Sequence, residues 1–132
     1  MIVLDTHVLL WWVSGSDELS VAAKKAIKRT LTQGSELIVS SISAWEVSML
    51  IDKERLILSM DVESWFDEVS QIDGVRFLPV DNEIGIKSTV LPGDFHKDPA
   101  DRMIVATARK LAVPLVTADE KIRNYEHVKT IW

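Results

Sequence analysis

Ile2-Val3-Leu4-Asp5 opens the chain with three consecutive apolar residues followed at once by an acid. A similar order recurs near the other end, where Asp119 comes shortly after Leu115-Val116-Thr117. Short apolar runs of this kind are typical of strands that are buried on both faces, as in a parallel sheet. We therefore expect each of these two acids just beyond the carboxyl end of a buried strand.

The rest of the chain alternates strand patterns with helix patterns. Strands are predicted at about Ile2–Leu4, Leu37–Ser40, Phe77–Val80, Leu115–Thr117 and Val128–Ile131. Helices are predicted after the capping residues Ser20, Asp61, Asp81 and Asp98, with stops at Gly34, near Gly74, before Pro92-Gly93 and at about Leu111. Strands separated by helices indicate a three-layer α/β/α fold whose central parallel sheet has about five strands. No repeat or linker is visible, so residues 1–132 are expected to form a single domain.

Composition restricts the chemistry of the chain. Cysteine is absent, which excludes disulfides, thiolate nucleophiles and zinc-thiolate sites. The net charge of −5 argues against a general basic surface for nucleic acid, although acids neutralised by divalent cations would account for most of that excess. The longest strictly apolar run, Val8 to Val13, is too short to cross a bilayer, and the start lacks the basic region of a signal peptide. We expect a cytoplasmic protein without a membrane partner.

Two further acids, Glu46 and Asp101, lie in the first turns of predicted helices. Right-handed crossovers start helices at the carboxyl edge of the sheet, so these acids should meet Asp5 and Asp119 there. Two carboxylates about 4 Å apart repel by roughly 4 kcal/mol at an effective dielectric of 20. Four gathered carboxylates therefore need a cation, and oxygen ligands without thiolates suit Mg²⁺ or Mn²⁺.

Three of these acids also have purely structural interpretations. Ser43-Ala44-Trp45-Glu46 matches a capping box, in which Glu46 would reach back to the backbone of Ser43 and do no chemistry. That interpretation is favoured for the motif alone, but Glu46 projects along a partly apolar face, where an unpaired charge would be costly. Asp5 and Asp119 could each cap the short segment that follows it.

Asp98 and Asp101 divide the two roles between them. Asp98-Pro99 is a helix start with a capping acid and a proline at the first helical position, whereas Asp101 lies on the apolar stripe of the same helix. The inward-facing acid is the better candidate for a metal ligand. Thr6 and Thr117 lie close to the acids and could hydrogen-bond a carboxylate or a metal-bound water.

The three histidines, His7, His96 and His127, show no paired metal-ligand spacing. Zinc is therefore disfavoured, and no histidine is assigned to the site.

Four segments contain the acids and their neighbours. They are Asp5-Thr6-His7-Val8-Leu9-Leu10-Trp11-Trp12, Ser43-Ala44-Trp45-Glu46-Val47, Asp98-Pro99-Ala100-Asp101-Arg102-Met103-Ile104-Val105-Ala106-Thr107-Ala108 and Leu115-Val116-Thr117-Ala118-Asp119. In this order, and spanning nearly the whole chain, they resemble the PIN-domain motifs of VapC-type toxins. The resemblance implies a Mg²⁺-dependent endoribonuclease, with Mn²⁺ able to substitute, whose catalytic and metal-binding acids are Asp5, Glu46, Asp101 and Asp119.

The resemblance also implies partners. A VapC-like protein is expected to cleave RNA as the toxin of a toxin-antitoxin pair that blocks translation, to form a homodimer, and to be inhibited by a cognate antitoxin. Asp98 precedes the usual third acid by one helical turn, so it is kept as either an auxiliary metal ligand or a helix cap. Lys97 and Arg102 flank that turn and could contact RNA phosphates, although solvated helix-end charges are favoured for either residue alone.

Phosphodiester hydrolysis suggests a role for each acid, because negative charge builds on the phosphate and the leaving oxygen during in-line attack. Our hypothesis is that Asp5 and Asp101 hold the principal ion and that Asp119 holds or orients a second. Glu46 would align the attacking water.

Three other classes of protein fit parts of the pattern. A haloacid-dehalogenase-type phosphatase also opens with an apolar strand and an Asp, but it needs a second Asp two residues later, where this chain has His7. A structure-specific DNA nuclease would use similar acids but needs further elements to grip duplex DNA. A catalytically silent PIN module could bind RNA or protein without cutting; retention of all four acids argues against it.

Overall fold

The computed structural model describes residues 1–132 and is built around one parallel sheet. Its strands are β1 (Ile2–Leu4), β2 (Leu37–Ser40), β3 (Val75–Leu78), β4 (Leu115–Val116) and β5 (Thr130–Ile131). They are ordered β3-β2-β1-β4-β5, and every neighbouring pair is parallel. The predicted five-stranded parallel sheet is confirmed, and β1 lies at its centre.

Seven helices connect the strands. They are α1 (Thr6–Ser14), α2 (Val21–Thr32), α3 (Ile42–Asp52), α4 (Val62–Ser70), α5 (Asn82–Thr89), α6 (Pro99–Leu111) and α7 (Glu120–Arg123). None of them is long and apolar enough to span a membrane.

The sheet separates two apolar cores. Successive side chains of a strand point to opposite faces, so Ile2 and Leu4 contribute to one core and Val3 to the other. The first core is completed by side chains of α1, α2 and α4, and the second by side chains of α5, α6 and α7. This arrangement confirms the three-layer α/β/α architecture and explains why the strands are almost continuously apolar.

Helix starts follow the predicted capping signals. The side chains of Ser20, Asp61, Asp81 and Asp98 each accept a hydrogen bond from a backbone N–H in the first turn of the helix that follows. Helix α4 ends at Ser70, ahead of the stop predicted near Gly74. These helices begin where the sequence places them because a cap is satisfied by its immediate neighbours.

The third strand was predicted two residues too late. It runs from Val75 to Leu78, because the left-handed Gly74 (φ 87°) turns the chain into it and Leu37 N donates to Gly74 O at 2.7 Å. Pro79 cannot donate to a sheet, so the strand ends before it and does not extend to Val80.

The last two strands are shorter than predicted. β4 lacks Thr117 and β5 begins at Thr130, although Thr117 N still donates to Ile131 O at 3.2 Å.

Candidate active site

Asp5 lies at the centre of the site, directly after the central strand β1. It is 6% exposed, and its N–H donates to Val116 O at 3.0 Å, which ties it to β4. Its Oδ1 accepts from Thr6 N at 2.8 Å, and its Oδ2 accepts from Thr117 Oγ1 at 2.7 Å. Both oxygens of this carboxylate are therefore oriented by the protein, and each retains a lone pair for another partner.

Thr117 joins Asp5 to the acid at the end of β4. The same hydroxyl that donates to Asp5 accepts from Asp119 N at 3.0 Å. Asp119 Oδ1 caps α7 by accepting from Lys121 N at 2.8 Å and Ile122 N at 3.2 Å. Asp119 is thus a helix cap, as one of its two interpretations predicted, and it also lies beside Asp5.

Thr6 joins Asp5 to Glu46 on α3. Thr6 Oγ1 donates to Glu46 Oε1 at 2.5 Å and lies 2.8 Å from the hydroxyl of Ser43. Because the single hydrogen of the Thr6 hydroxyl goes to Glu46, Ser43 is the donor in the second contact. The hydrogen bonds predicted for the hydroxyls of Thr6 and Thr117 are both present.

The capping-box interpretation of Ser43 and Glu46 does not hold, and the alternative, that Glu46 has a partner elsewhere, does. Helix α3 already begins at Ile42, its N-cap side chain makes no capping hydrogen bond, and Ser40 Oγ instead accepts from Ile42 N at 3.2 Å. This earlier start turns Ser43 and Glu46 towards Thr6, so Glu46 has a partner outside its own helix.

Asp101 faces inward from the first turn of α6. Its side chain is 16% exposed, and its Oδ2 lies 3.0 Å from Nε2 of His96. Asp98 is exposed and caps the helix, accepting from Asp101 N at 3.0 Å. The cap role that the sequence offered for Asp98 is therefore present in the structure.

His96 is a site residue that the sequence did not reveal. Its ring packs on Phe95 with centroids 4.5 Å apart. Its buried Nε2 lies 3.0 Å from Asp101 Oδ2, although the geometry of this contact is not that of a hydrogen bond. Metal-ligand spacing could not find it, because a histidine that pairs with a carboxylate across a loop needs no fixed spacing. The one feature of the sequence that could have indicated His96 as a site residue is its position two residues before Asp98.

Arg102 fixes the loop that carries His96. Its Nε donates to Ser88 O at 2.7 Å, and its Nη1 donates to Phe95 O at 3.0 Å and His96 O at 3.1 Å. These contacts occupy much of the guanidinium, so they favour a structural role over the RNA contact considered for it. Lys97 is exposed beside the same loop.

The acids influence one another strongly. Burial raises the pKa of Asp5, against the hydrogen bonds from Thr117 and Thr6, and burial also raises the pKa of Glu46. The pKa of Asp101 is raised from 3.8 to about 8, first by burial and then by the negative charges of Asp5, Asp98, Asp119 and Glu46. The predicted acids therefore share one electrostatic environment, in which each negative charge raises the pKa of Asp101.

The donor set fits a hard divalent cation. Carboxylate oxygens without thiolates are the ligands of Mg²⁺ and Mn²⁺, and a bound cation would reverse the raised pKa values. As the side chains stand, no group of three His, Asp or Glu residues is arranged to hold an ion. The backbone brings the acids to one edge of the sheet, and their ends would have to turn towards a common point.

The fold and the acidic edge define the class of protein. A sequence model of the PIN domain family matches residues 2–128, and the chain belongs to this family. Over 133 aligned residues it is 35% identical to ribonuclease VapC22 of Mycobacterium tuberculosis, covering 99% of this chain and 98% of that relative.

Solved structures share the fold. A toxin-antitoxin complex from Klebsiella pneumoniae matches with a TM-score of 0.66 and 19% identity, over 97% of this chain and 95% of that chain. VapBC2 from Rickettsia felis, bound to a DNA fragment from its promoter, matches with a TM-score of 0.64 and 16% identity, over 98% and 97% of the two chains. At this level of identity, the likeness supports the α/β/α architecture.

Proposed function

We propose that this chain is a Mg²⁺-dependent endoribonuclease, with Mn²⁺ able to substitute, and that it is the toxin of a toxin-antitoxin pair. The observation that carries the proposal is the meeting of acids at one edge of the sheet: Thr117 bonds both Asp5 and the backbone of Asp119, and Thr6 bonds both Asp5 and Glu46. Burial and the neighbouring negative charges raise the pKa of Asp101 to about 8, which is consistent with a site that takes up a cation. The relative named as a ribonuclease, 35% identical over nearly the full length of both chains, supports RNA as the substrate class.

The acids take separate roles in the proposed reaction. Asp5, Asp101 and Asp119 would hold the metal, and when bound it would supply the positive charge that cleavage of a phosphodiester needs. Glu46 Oε1 already accepts from Thr6, so its Oε2 is the atom left to accept a proton from the attacking water. Burial raises the pKa of Glu46, which makes its carboxylate a stronger base than an exposed glutamate.

The proposed antitoxin has a suitable groove. A groove of about 590 Å³ lies between α1, α4 and the segment that follows α3, and nine of its 14 lining residues are hydrophobic. Ile57 on this segment is 93% exposed, and His7, two residues after Asp5, also lines the groove. An apolar helix of the antitoxin could bind in this groove and reach the acids. Two solved structures that share the fold of this chain, from Klebsiella pneumoniae and Rickettsia felis, are toxin-antitoxin complexes, which supports an antitoxin as the partner.

The proposed homodimer also needs a surface. Ile86 and Val90, from α5 and the residue after it, are 66% and 69% exposed, which makes that face a candidate for contact with a second copy. Sedimentation of the wild type and of Ile86→Glu would show whether a dimer forms and whether this face holds it.

The proposed activity is tested by incubating end-labelled total cellular RNA with purified protein in Mg²⁺, in Mn²⁺ and in EDTA. Asp5→Asn is run beside Asp61→Asn as a matched control, since both residues cap a helix and Asn retains a cap. We expect discrete fragments that require metal, unchanged cleavage by Asp61→Asn, and a loss of roughly a hundredfold or more in Asp5→Asn.

Two results would contradict the proposal in different ways. Full activity of Asp5→Asn would overturn the site assignment. Intact RNA with folded wild-type protein in both metals would favour a PIN module that binds without cutting.

A further inference from the structure

A second cavity, of about 640 Å³, lies beside the acids. It is an open cavity, bordered by the loop that precedes α6 and by the segment that runs from α7 towards β5. Two of its lining residues also contact the acidic site: His96 Nε2 lies 3.0 Å from Asp101 Oδ2, and Lys121 N donates to Asp119 Oδ1 at 2.8 Å. The cavity therefore borders the acidic site.

One wall of the cavity is aromatic and rigid. The ring of Tyr125 lies 4.6 Å from that of Phe95 and 5.3 Å from that of His127, measured between centroids. Tyr125 is 6% exposed and donates its hydroxyl to Pro92 O at 2.5 Å, so this ring is fixed. The side chain of His127 lines the cavity and is 35% exposed, so part of its imidazole is open to a ligand.

The backbone keeps that histidine in place. Arg109 donates to the carbonyl of His127, and Gly93 lies so close that a Cβ there would be 3.2 Å from Nε2 of the imidazole. Gly93 has a φ of 65°, so a side chain at this position would be strained as well as crowded.

The opposite side of the cavity is polar. Lys121 and Asn124 are exposed, and Lys121 belongs to none of the protein's salt bridges. Asp94 and Glu126 also line the cavity, and Glu126 Oε1 lies 3.3 Å from His127 Nε2. A phosphate would be repelled by these two carboxylates and attracted by Lys121, so a ligand with one phosphate and several hydrogen-bond donors fits best.

We propose that this cavity binds one nucleotide of single-stranded RNA, adjacent to the phosphate that is cut. The base stacks on His127, the phosphate lies at Lys121, and Asn124 contacts the base edge. Unpaired bases are recognised by stacking on aromatic rings, histidine included, and the volume lies within the range of small-ligand sites. The inference rests on the proposed ribonuclease function and adds a determinant of where the RNA is cut.

Nucleotide binding can be measured without any cleavage. The wild-type protein is titrated with AMP, CMP, GMP and UMP in EDTA, and NMR signals of the His127 ring and the Asn124 side-chain amide are followed. We expect saturable shifts for at least one nucleotide, and affinities weakened about tenfold in His127→Ala and in Lys121→Ala.

His127→Phe keeps a stacking ring and should restore most of the affinity, and Lys28→Ala on α2 is the matched control for loss of a cation. Absence of shifts with all four nucleotides, or equal effects of Lys28→Ala and Lys121→Ala, would overturn the inference.

Cleavage separates this inference from the function on which it rests. On an RNA that the wild type cuts, Asn124→Ala and His127→Ala should raise KM or redistribute the cut positions. An abasic nucleotide beside the cut site should remove the difference between wild type and His127→Ala. If all variants cut RNA in a metal-dependent way with unchanged cut positions and KM, the proposed subsite is overturned and the ribonuclease activity is not. If the protein binds nucleotides but cuts no RNA, the proposed ribonuclease activity is overturned and the nucleotide site is not.

Discussion

Two threonines connect three of the acids. Thr117 donates to Asp5 and accepts from the backbone of Asp119, while Thr6 donates its backbone N–H to Asp5 and its hydroxyl to Glu46. Neither threonine contributes a charge, but together they set the directions in which the carboxylates present their free oxygens. Removal of either hydroxyl should therefore cost more than an ordinary hydrogen bond.

Thr6→Val tests this linkage. The substitution keeps the shape of the side chain but leaves Glu46 without its donor and the fully buried Ser43 without its acceptor, so we expect a loss of about 1–3 kcal/mol in the free energy of unfolding. Thr107→Val is the control, because this buried hydroxyl only donates to Met103 O within α6, and about 1 kcal/mol or less should be lost. Urea unfolding measures both, and equal losses would show that the Thr6 hydroxyl is no more than another buried hydrogen bond.

The raised pKa of Asp101 makes stability depend on pH in the metal-free protein. This carboxyl has a pKa of about 8 in the folded state against 3.8 ordinarily, so between these values the folded protein binds more protons than the unfolded chain. The free energy of unfolding must then fall as pH rises, and this contribution is lost fully above about pH 8. The raised pKa values of Asp5 and Glu46 act in the same direction.

The expected result is a urea midpoint in EDTA that falls from about pH 5 to about pH 8. Asp101→Asn should flatten this dependence, because the amide carries no proton equilibrium. Asp61→Asn should not, since Asp61 is exposed and its pKa is lowered, chiefly by the backbone N–H of Ser64. A wild-type midpoint that rises over this range would show that Asp101 ionises normally, with the imidazole of His96 as its balancing charge.

At the scale of elements, the acids are placed by the beginnings of helices. Asp5 caps α1 and Asp119 caps α7, while Asp101 and Glu46 lie in or near the first turns of α6 and α3. Helix N-termini also stabilise negative charge, so capping and clustering of acids are compatible. The helix caps that the sequence offers as an alternative role for Asp5 and Asp119 are both present, and they lie at the edge of the sheet where the acids gather. A cap role therefore does not exclude the proposed metal-binding role for either residue.

Asp98 allows the two roles to be separated by substitution. Asp98→Ala removes the hydrogen bond to Asp101 N and should cost about 1 kcal/mol of stability, whereas Asp98→Ser retains a cap and should stay within a few tenths of wild type. Because Asp98 is exposed and its observed contact is the cap, we expect Asp98→Ser to keep metal-dependent cleavage within about threefold. Thermal unfolding and cleavage rates measure the pair, and a stable but inactive Asp98→Ser would make Asp98 a metal ligand.

At the scale of the whole molecule, the order of the strands creates the acidic edge. β1 lies between β2 and β4, so Asp5 has the residues after β4 on one side and the start of α3, which follows β2, on the other. A cation that binds this carboxylate-rich edge should stabilise the folded protein, and tighter binding should give a larger increase in the free energy of unfolding.

Divalent metal should therefore raise the stability of the folded protein. At a free Mn²⁺ concentration about 100 times Kd, binding to the folded state alone would add about 2.7 kcal/mol. The increase in Tm should be larger near pH 8 than near pH 5, because protons compete with the metal for the same carboxylates. Scanning calorimetry of the wild type and of Asp101→Asn tests this, and an equal increase in both proteins would place the ion elsewhere.

The sequence by itself determined the features that depend on neighbouring residues. The strands Ile2–Leu4 and Leu37–Ser40, and the helix starts after Ser20 and Asp98, follow from local apolar runs and from caps satisfied within three residues. The resemblance of the motifs was sufficient for the family. The third strand was predicted two residues too late. Its apolar residues favour a strand, but this preference does not fix the residue at which pairing with β2 begins.

Only the tertiary structure decided the contacts between distant parts of the chain. Thr117 is 112 residues from Asp5, and Thr6 is 40 residues from Glu46. These pairs meet because the sheet places Val3 opposite Leu115 and turns α3 towards α1, a register and an orientation that no local pattern contains. The pairing of His96 with Asp101 has the same origin, since Arg102 folds the intervening loop back onto its own helix.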